Sequence, residues 1–247
     1  FDEGDYDKAR KSLEESLEVG VSPKYNALCA FWLGEIAYQI GDMEQAATQY
    51  NYYLKRAPRN AKEYKMALYN LGYAQIAREN IPAAKSALEG FIWLYKSRDA
   101  YRADGYNRLG DVQFLQQNYA DAVKSYEGSI SIGTEQKHYA RYRRAISLGL
   151  LGKQSPKIES LQKIVADKEG DYVDDAAYEL GRTYVSAERY ADGAKVLETL
   201  VTDYPTTPYM TAAMLDLGLI YFNLGDAERS LSSYDRVIST APQSQAA

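Results

Sequence analysis

Among its 247 residues the chain has a single cysteine, Cys29, and a single histidine, His138. One thiol excludes an internal disulfide and any multi-cysteine metal site, and one imidazole has no second histidine or cysteine with which to complete a zinc centre. Cys29 therefore reads as a small core residue and His138 as a surface residue. No run of apolar residues approaches the roughly 18 needed to span a bilayer, so direct membrane insertion by this segment is not expected. Only seven prolines occur, and β-branched alternation is almost absent, which leaves long stretches free to follow the helical period. The 34 acids and 29 bases give a net charge of −5, which disfavours a broad phosphate-binding surface and with it general nucleic-acid binding.

Catalytic motifs are missing as well. There is no phosphate loop, no nucleophile elbow and no dinucleotide fingerprint. The neighbouring carboxylates Asp174-Asp175 and Glu14-Glu15 point in different directions on a helix and read as solvated faces or helix-start charges. No catalytic residue, metal ligand or cofactor site is expected, and the fold class is all-α.

What the sequence has in abundance is repetition. WLGEIAYQIGDMEQAATQY at 32–50 is echoed by NLGYAQIARENIPAAKSAL at 70–88, RLGDVQFLQQNYADAVKSY at 108–126, ELGRTYVSAERYADGAKVL at 179–197 and LGLIYFNLGDAERSLSSY at 217–234. Aligned on glycine, the positions are Gly34, Gly72, Gly110, Ala145, Gly181 and Gly218, spaced 35 to 38 residues apart. A glycine inside a helix costs roughly 1 kcal/mol relative to alanine, so packing must offset it. Twelve residues later come Ala46, Ala84, Ala122, Lys157, Gly193 and Ser230, small in all but one case. Eight further on, Leu54, Ile92, Ile130, Val165, Val201 and Ile238 are apolar, as are the positions four before them, from Tyr50 to Tyr234. Each period reads as an antiparallel helix pair, with the glycine and the small residue letting the two backbones approach. Gly41-Asp42, Glu79-Asn80, Gln117-Asn118 and Gly225-Asp226 mark the turns, where Asp or Asn is placed to cap the second helix.

This pattern resembles the tetratricopeptide repeats, whose signature is a Leu-Gly pair, an aromatic residue three further on, an alanine, an aromatic or leucine, and a closing proline. Leu180, Gly181, Tyr184, Tyr190, Leu197 and Pro205 match it, as do Leu217, Gly218, Tyr221, Tyr234 and Pro242, and Leu33, Gly34, Ala46, Tyr50 and Pro58. The resemblance implies a right-handed α-α superhelix as one solenoid domain. Its repeats run 25–62, 63–100, 101–136, 137–170, 171–208 and 209–243, behind a half repeat at 1–22 that turns at Gly4-Asp5-Tyr6 and faces inward with Ala9, Leu13 and Leu17. The chain opens within a repeat and so reads as a slice of a longer protein. Repeat five departs from the pattern through Ala145, Arg144 and Lys157, and Ser155-Pro156 predicts a late start to its second helix. The rival register on Leu148-Gly149 would put Lys168 at an apolar position.

In such proteins partners lie along the concave face made by the first helices. Carried over residue by residue, that face holds Phe31, Tyr38, Tyr69, Tyr73, Asn107, Arg108, Tyr142, Arg143, Tyr178, Arg182, Leu215 and Phe222, mostly Tyr and Phe with some Arg. Tyrosine supplies rigid apolar area with a polar tip, which suits a protein or peptide partner. The same 24 tyrosines against five phenylalanines make Tyr the default aromatic here, so part of this row is ordinary interhelix packing. HYARYRR at 138–144 offers a basic, aromatic patch or, on the blander reading, a solvated helix face. In chaperone-binding relatives a Lys and Asn on one first helix and a Lys and Arg on the next hold a C-terminal carboxylate; no neighbouring pair here shows that set, and Asn107-Arg108 stands without the Lys. The leading expectation is a non-enzymatic interaction scaffold. The second is a structural or assembly module of a cell-envelope complex, working through its termini and convex face, with self-association through exposed terminal helices. A helical-repeat enzyme is disfavoured by loops too short to build a site. The stretch 203–226, with periods longer than 34, is similar to bacterial cell-envelope members of the family. That favours the periplasm or envelope over the cytoplasm as its location.

Overall fold

The computed structural model describes residues 5–20 and 22–240; Gly4 and Pro242 lie outside these. Among the described residues there are thirteen α-helices and no strand. Helix α1 (Tyr6–Val19) precedes six pairs: α2 (Pro23–Gln39) with α3 (Met43–Arg56), α4 (Tyr64–Ala77) with α5 (Ile81–Leu94), α6 (Ala100–Leu115) with α7 (Tyr119–Ile132), α8 (Gln136–Leu150) with α9 (Gln154–Asp167), α10 (Val173–Ser186) with α11 (Tyr190–Asp203), and α12 (Met210–Asn223) with α13 (Ala227–Thr240). They group into two compact units, Phe1–Gln136 and Lys137–Ala247. The half-buried Ala9, Leu13 and Leu17 are on α1, which packs against α2.

The helix ends follow local chemistry. Ser22 accepts a hydrogen bond from the Tyr25 amide with Pro23 in the first turn, and Asp5, Asp42, Asp99 and Asp226 accept from the amide three residues on. Asn80 makes no such cap, and Asn118 instead donates to Asp121. The Asp side chain, charged and acceptor-only, does what was expected of both residue types. Seven residues after each socket position the chain takes a left-handed turn. Gly41, Gly152 and Gly225 do so at φ of 84°, 74° and 75°, while Glu79, Gln117 and Glu188 hold φ of 57° to 59° at a conformational cost that a glycine avoids.

The helical glycines are sockets. A Cβ on Gly34 would come within 2.9 Å of the Tyr50 ring, on Gly72 within 2.7 Å of Leu88, on Gly110 within 2.6 Å of Tyr126, on Gly181 within 2.4 Å of Leu197 and on Gly218 within 2.5 Å of Tyr234. The filling residue is thus sixteen positions downstream rather than twelve. The small residue at twelve meets the glycine's carbonyl edge instead: Ser230 donates to the Gly218 carbonyl at 2.9 Å, and a Cβ on Gly193 would stand 3.4 Å from the Gly181 oxygen. A second set of contacts joins one pair to the next. Position nineteen is buried in every repeat, as Tyr53, Phe91, Ser129, Ile164, Leu200 and Val237, whereas the expected stripe at position twenty is mostly half-buried and Ile238 is exposed. Five residues before each socket stand Cys29, Ala67, Gly105, Ala140, Ala176 and Ala213, all buried, and Gly105 receives the Phe91 ring.

Repeat five keeps the same register. Its second helix starts at Gln154, nine residues after Ala145, as in the other pairs, so Pro156 lies in the first turn without delaying it. Lys157 is tolerated because its stem lies across Gly149, where a Cβ would be 2.8 Å from its Cδ, and its ammonium reaches Glu179 at 2.6 Å. His138 is half-buried rather than a free surface residue, its ring lying against Gly170.

Filling a socket should destabilise. Gly110→Ala is expected to cost about 1 to 3 kcal/mol by overpacking against Tyr126. Combined with Tyr126→Leu, which recreates the Ala145 and Leu161 combination of repeat five, the loss should be smaller than the sum of the single losses, read from urea midpoints. Strict additivity would contradict the socket.

Candidate partner-binding face on the first helices

In the first unit α2 touches α4 and α4 touches α6, so the first helices form one inner row. Two sockets deliver polar groups to it. Tyr50, seated on Gly34, donates to Glu35 Oε1 at 2.7 Å, and Tyr126, seated on Gly110, donates to Asp111 Oδ1 at 2.8 Å. Asn70 of α4 also donates to Glu35, at 2.6 Å. Tyr69 and Tyr73 lie side by side, ring centroids 5.1 Å apart, as their spacing of four predicts, and both donate to Asp104 Oδ2, Tyr69 at 2.8 Å. Burial and the Asp104 carboxylate push both phenols well above the usual tyrosine range. Tyr38 is half-buried and raised by burial and by the charges of Glu35 and Asp104. Arg108 ties Asp111 at 2.9 Å and Asp104 at 3.6 Å along its own helix.

Two of the expected residues sit inside. Phe31 is 5% exposed, packed 5.4 Å from the Tyr53 ring, and Asn107 has no exposed area and donates to the Gln136 carbonyl.

In the second unit Tyr142 stacks on Tyr172 (5.8 Å, 16°) and Tyr178 stacks on Tyr209 (4.6 Å, 15°). Each of these tyrosines thus pairs with the one that opens the following repeat. Tyr209 donates to Asp175 at 2.6 Å and Thr207 to Asp174 at 2.8 Å, so this carboxylate pair fastens the turn that leads into α12 and is more than helix-start charge. Burial, with Asp175 and Glu179 nearby, pushes Tyr142 up to about 12. Arg182 is exposed with its guanidinium 5.9 Å from the Tyr178 ring, and Arg143 lies 6.0 Å from Tyr139. The rest of 138–144 is used internally: Arg141 pairs with Asp167 at 3.1 Å and Arg144 donates to Ser160 at 3.0 Å. Leu215 packs at the margin of the core around α10 to α12, and Phe222 stands 72% exposed.

Sequence reasoning missed the carboxylates Glu35, Asp104, Asp111 and Asp216, gave Asp175 another role, and missed the ring partners Tyr101, edge-on to Tyr69 at 5.6 Å, Tyr172 and Tyr209. A signal for the latter exists: Tyr25, Tyr101, Tyr172 and Tyr209 all stand nine residues before a socket. Among the described residues no cluster of His, Cys, Asp and Glu could hold a metal, and no helix is long and apolar enough to cross a membrane.

Two family models described as tetratricopeptide repeat match the chain, one over residues 1–61 and 178–245 and the other over 66–97. The chain belongs to the tetratricopeptide repeat family, an all-α solenoid fold whose members mediate protein–protein interactions. None of the curated proteins matches it. Among solved structures it is similar to the C-terminal part of a TPR repeat-containing protein from Cytophaga hutchinsonii (13% identity, TM-score 0.77, covering 99% of this chain and 94% of that one). It is also similar to PilF of Pseudomonas aeruginosa (14%, 0.61, 98% and 96%) and to YrrB, described as a TPR protein with an unusual peptide-binding site (17%, 0.59, 78% and 94%). At these identities the likeness is one of fold.

Asp216 Oδ2 is buried without a hydrogen-bond partner, and burial raises this carboxyl above its ordinary range against the opposing pull of Arg182 and Tyr178. A raised carboxyl favours folding while protonated, and that contribution is lost as pH rises through its folded pKa. Asp216→Asn should therefore raise the melting temperature near neutral pH, and the gain should vanish by about pH 3, where the parent is protonated too. A gain that persists in acid, or none at all, would show that burial does not dominate at Asp216.

Proposed function

We propose that this chain is a non-enzymatic scaffold that holds an extended peptide or protein segment against the inner face of its first helices. The observation that carries this reading is that half-buried tyrosines line the inner row of each unit with their hydroxyls already fastened to carboxylates, Tyr69 and Tyr73 on Asp104 and Tyr209 on Asp175. Rings locked before binding lose little side-chain freedom when a partner arrives, so their area is converted to affinity efficiently. The carboxylates beside them leave lone pairs for the amide and cationic groups of a peptide. The family's general role and the peptide-binding description of YrrB support the same reading. The working residues are Tyr38, Tyr69, Tyr73 and Arg108 in the first unit and Tyr142, Arg143, Tyr178 and Arg182 in the second.

A peptide selected on the purified chain from a random display library provides the ligand. Tyr69→Ala and Tyr73→Ala should each weaken it by about 1 to 2 kcal/mol, and the double variant should abolish binding with helical circular dichroism unchanged. Full affinity in the double variant would move the working surface elsewhere.

One observation favours the assembly reading as a second function. Leu219, Phe222 and Leu224 of α12 and its turn, with Leu231 and Ile238 of α13, are exposed apolar residues on a single helix pair. If this pair self-associates, sedimentation should show concentration-dependent dimers that Phe222→Ser with Leu231→Ser abolishes. A strict monomer across the concentration range would exclude it.

A further inference from the structure

The first unit carries a feature that the inner-face reading leaves unused. Between 55 and 65 the chain places Lys55, Arg56, Arg59, Lys62 and Lys65 against one acid, Glu63, in a protein whose net charge is −5. Glu63 accepts the Tyr53 hydroxyl at 3.5 Å. Arg56 lies 3.6 Å over the Tyr52 ring, and among the described residues Lys24, Lys55, Arg59, Lys62 and Lys65 have no carboxylate partner. These cations are where α3 ends and α2 and α4 begin, so the positive ends of two helix dipoles and the negative end of one meet among them.

Two hollows open among them, sharing Ala61 and Lys62. One, of about 570 Å³, is walled by Pro23, Tyr25, Tyr53 and Pro58 with Lys24 and Arg56 at its edge. The other, of about 610 Å³, lies between Arg59, Lys65, Leu94 and Trp93. Trp93 is 64% exposed and Tyr25 59%, which leaves large apolar area in water beside unpaired charge. Trp, Tyr and Arg are the side chains that most often anchor an interface.

We infer that this end of the first unit docks an acidic segment of a partner protein, with one bulky apolar side chain of that segment in each hollow and its carboxylates on the cations between them. Charge complementarity selects the sign of the partner. The paired hollows select a protein segment over an anionic membrane, because a planar headgroup layer would leave both unfilled. The inference is independent of the inner-face reading, since none of its residues belongs to that face.

The probe is a fluorescein-labelled peptide, Asp-Phe-Glu-Asp-Glu-Phe-Asp, titrated with the full chain and followed by anisotropy. Saturable binding that weakens as salt rises is expected, with Arg59→Glu plus Lys62→Glu lowering affinity by at least about tenfold and Trp93→Ala lowering it at constant salt dependence. Tyr73→Ala should leave it unchanged, which separates failure here from failure of the inner face. A peptide with lysine for each acid should not bind. The inference is overturned by absence of saturation at millimolar peptide, by equal binding in the charge-reversed variant whose circular dichroism matches the parent, or by variant-sensitive binding to anionic vesicles or a single-stranded oligonucleotide in place of the peptide.

Discussion

Five of the six helix pairs in this protein are closed by a side chain that occupies the space a glycine leaves empty, and in the sixth Ala145 stands at the socket. The approach at Gly181, where an added Cβ would lie 2.4 Å from Leu197, sets how close the two helices run, and the left-handed turn seven residues later brings the second helix back at that spacing. Once the pair is closed, position nineteen faces outward from it and meets the small residue that opens the next pair, as Phe91 meets Gly105. Nearest-neighbour stacking of this kind is what allows repeats to accumulate without a shared central core.

The candidate face is a by-product of the same closure. Tyr50 and Tyr126 are core residues by burial, yet their hydroxyls emerge at Glu35 and Asp111 on the inner row. Where leucine fills the socket, as Leu88 and Leu197 do, the residue after the glycine is Tyr73 or Arg182, a side chain that presents itself on the inner face. Repeat five shows how far the scheme bends: a lysine stem replaces the small contact because Gly149 makes room for it and Glu179 receives its charge.

The period, the pairing and the register of all six repeats were legible in the sequence, because glycine inside an apolar helical pattern is rare enough to align on. Sequence spacing points to Ala84 and its equivalents as the contact that makes the glycine necessary, whereas the filler is Leu88 and its equivalents; both stripes are regular, and regularity alone does not say which one touches. Position nineteen was missed because Ser129 interrupts its apolar run, and the stripe at position twenty, unbroken in sequence, proved the shallower one. For the site, the side-by-side rings of Tyr69 and Tyr73 followed from spacing on one helix. The carboxylates did not, since Asp104 and Asp175 acquire their meaning only from hydroxyls of a different repeat. Burial of Asn107 likewise depends on the Gln136 carbonyl at the start of the next helix pair, which a single-repeat register does not describe.

The two kinds of socket divide the protein's freedom to diverge. In the pairs closed by Tyr50 and Tyr126 the ring that seals the core also anchors an inner-face acid, so a substitution at the tyrosine or at the acid disturbs folding and surface chemistry together. In the pairs closed by Leu88 and Leu197 the seal is purely apolar, and the neighbour of the glycine, half-buried Tyr73 or exposed Arg182, can be exchanged without breaking it. New ligand preferences are therefore most readily written in the third and sixth repeats, while the second and fourth hold the face in place.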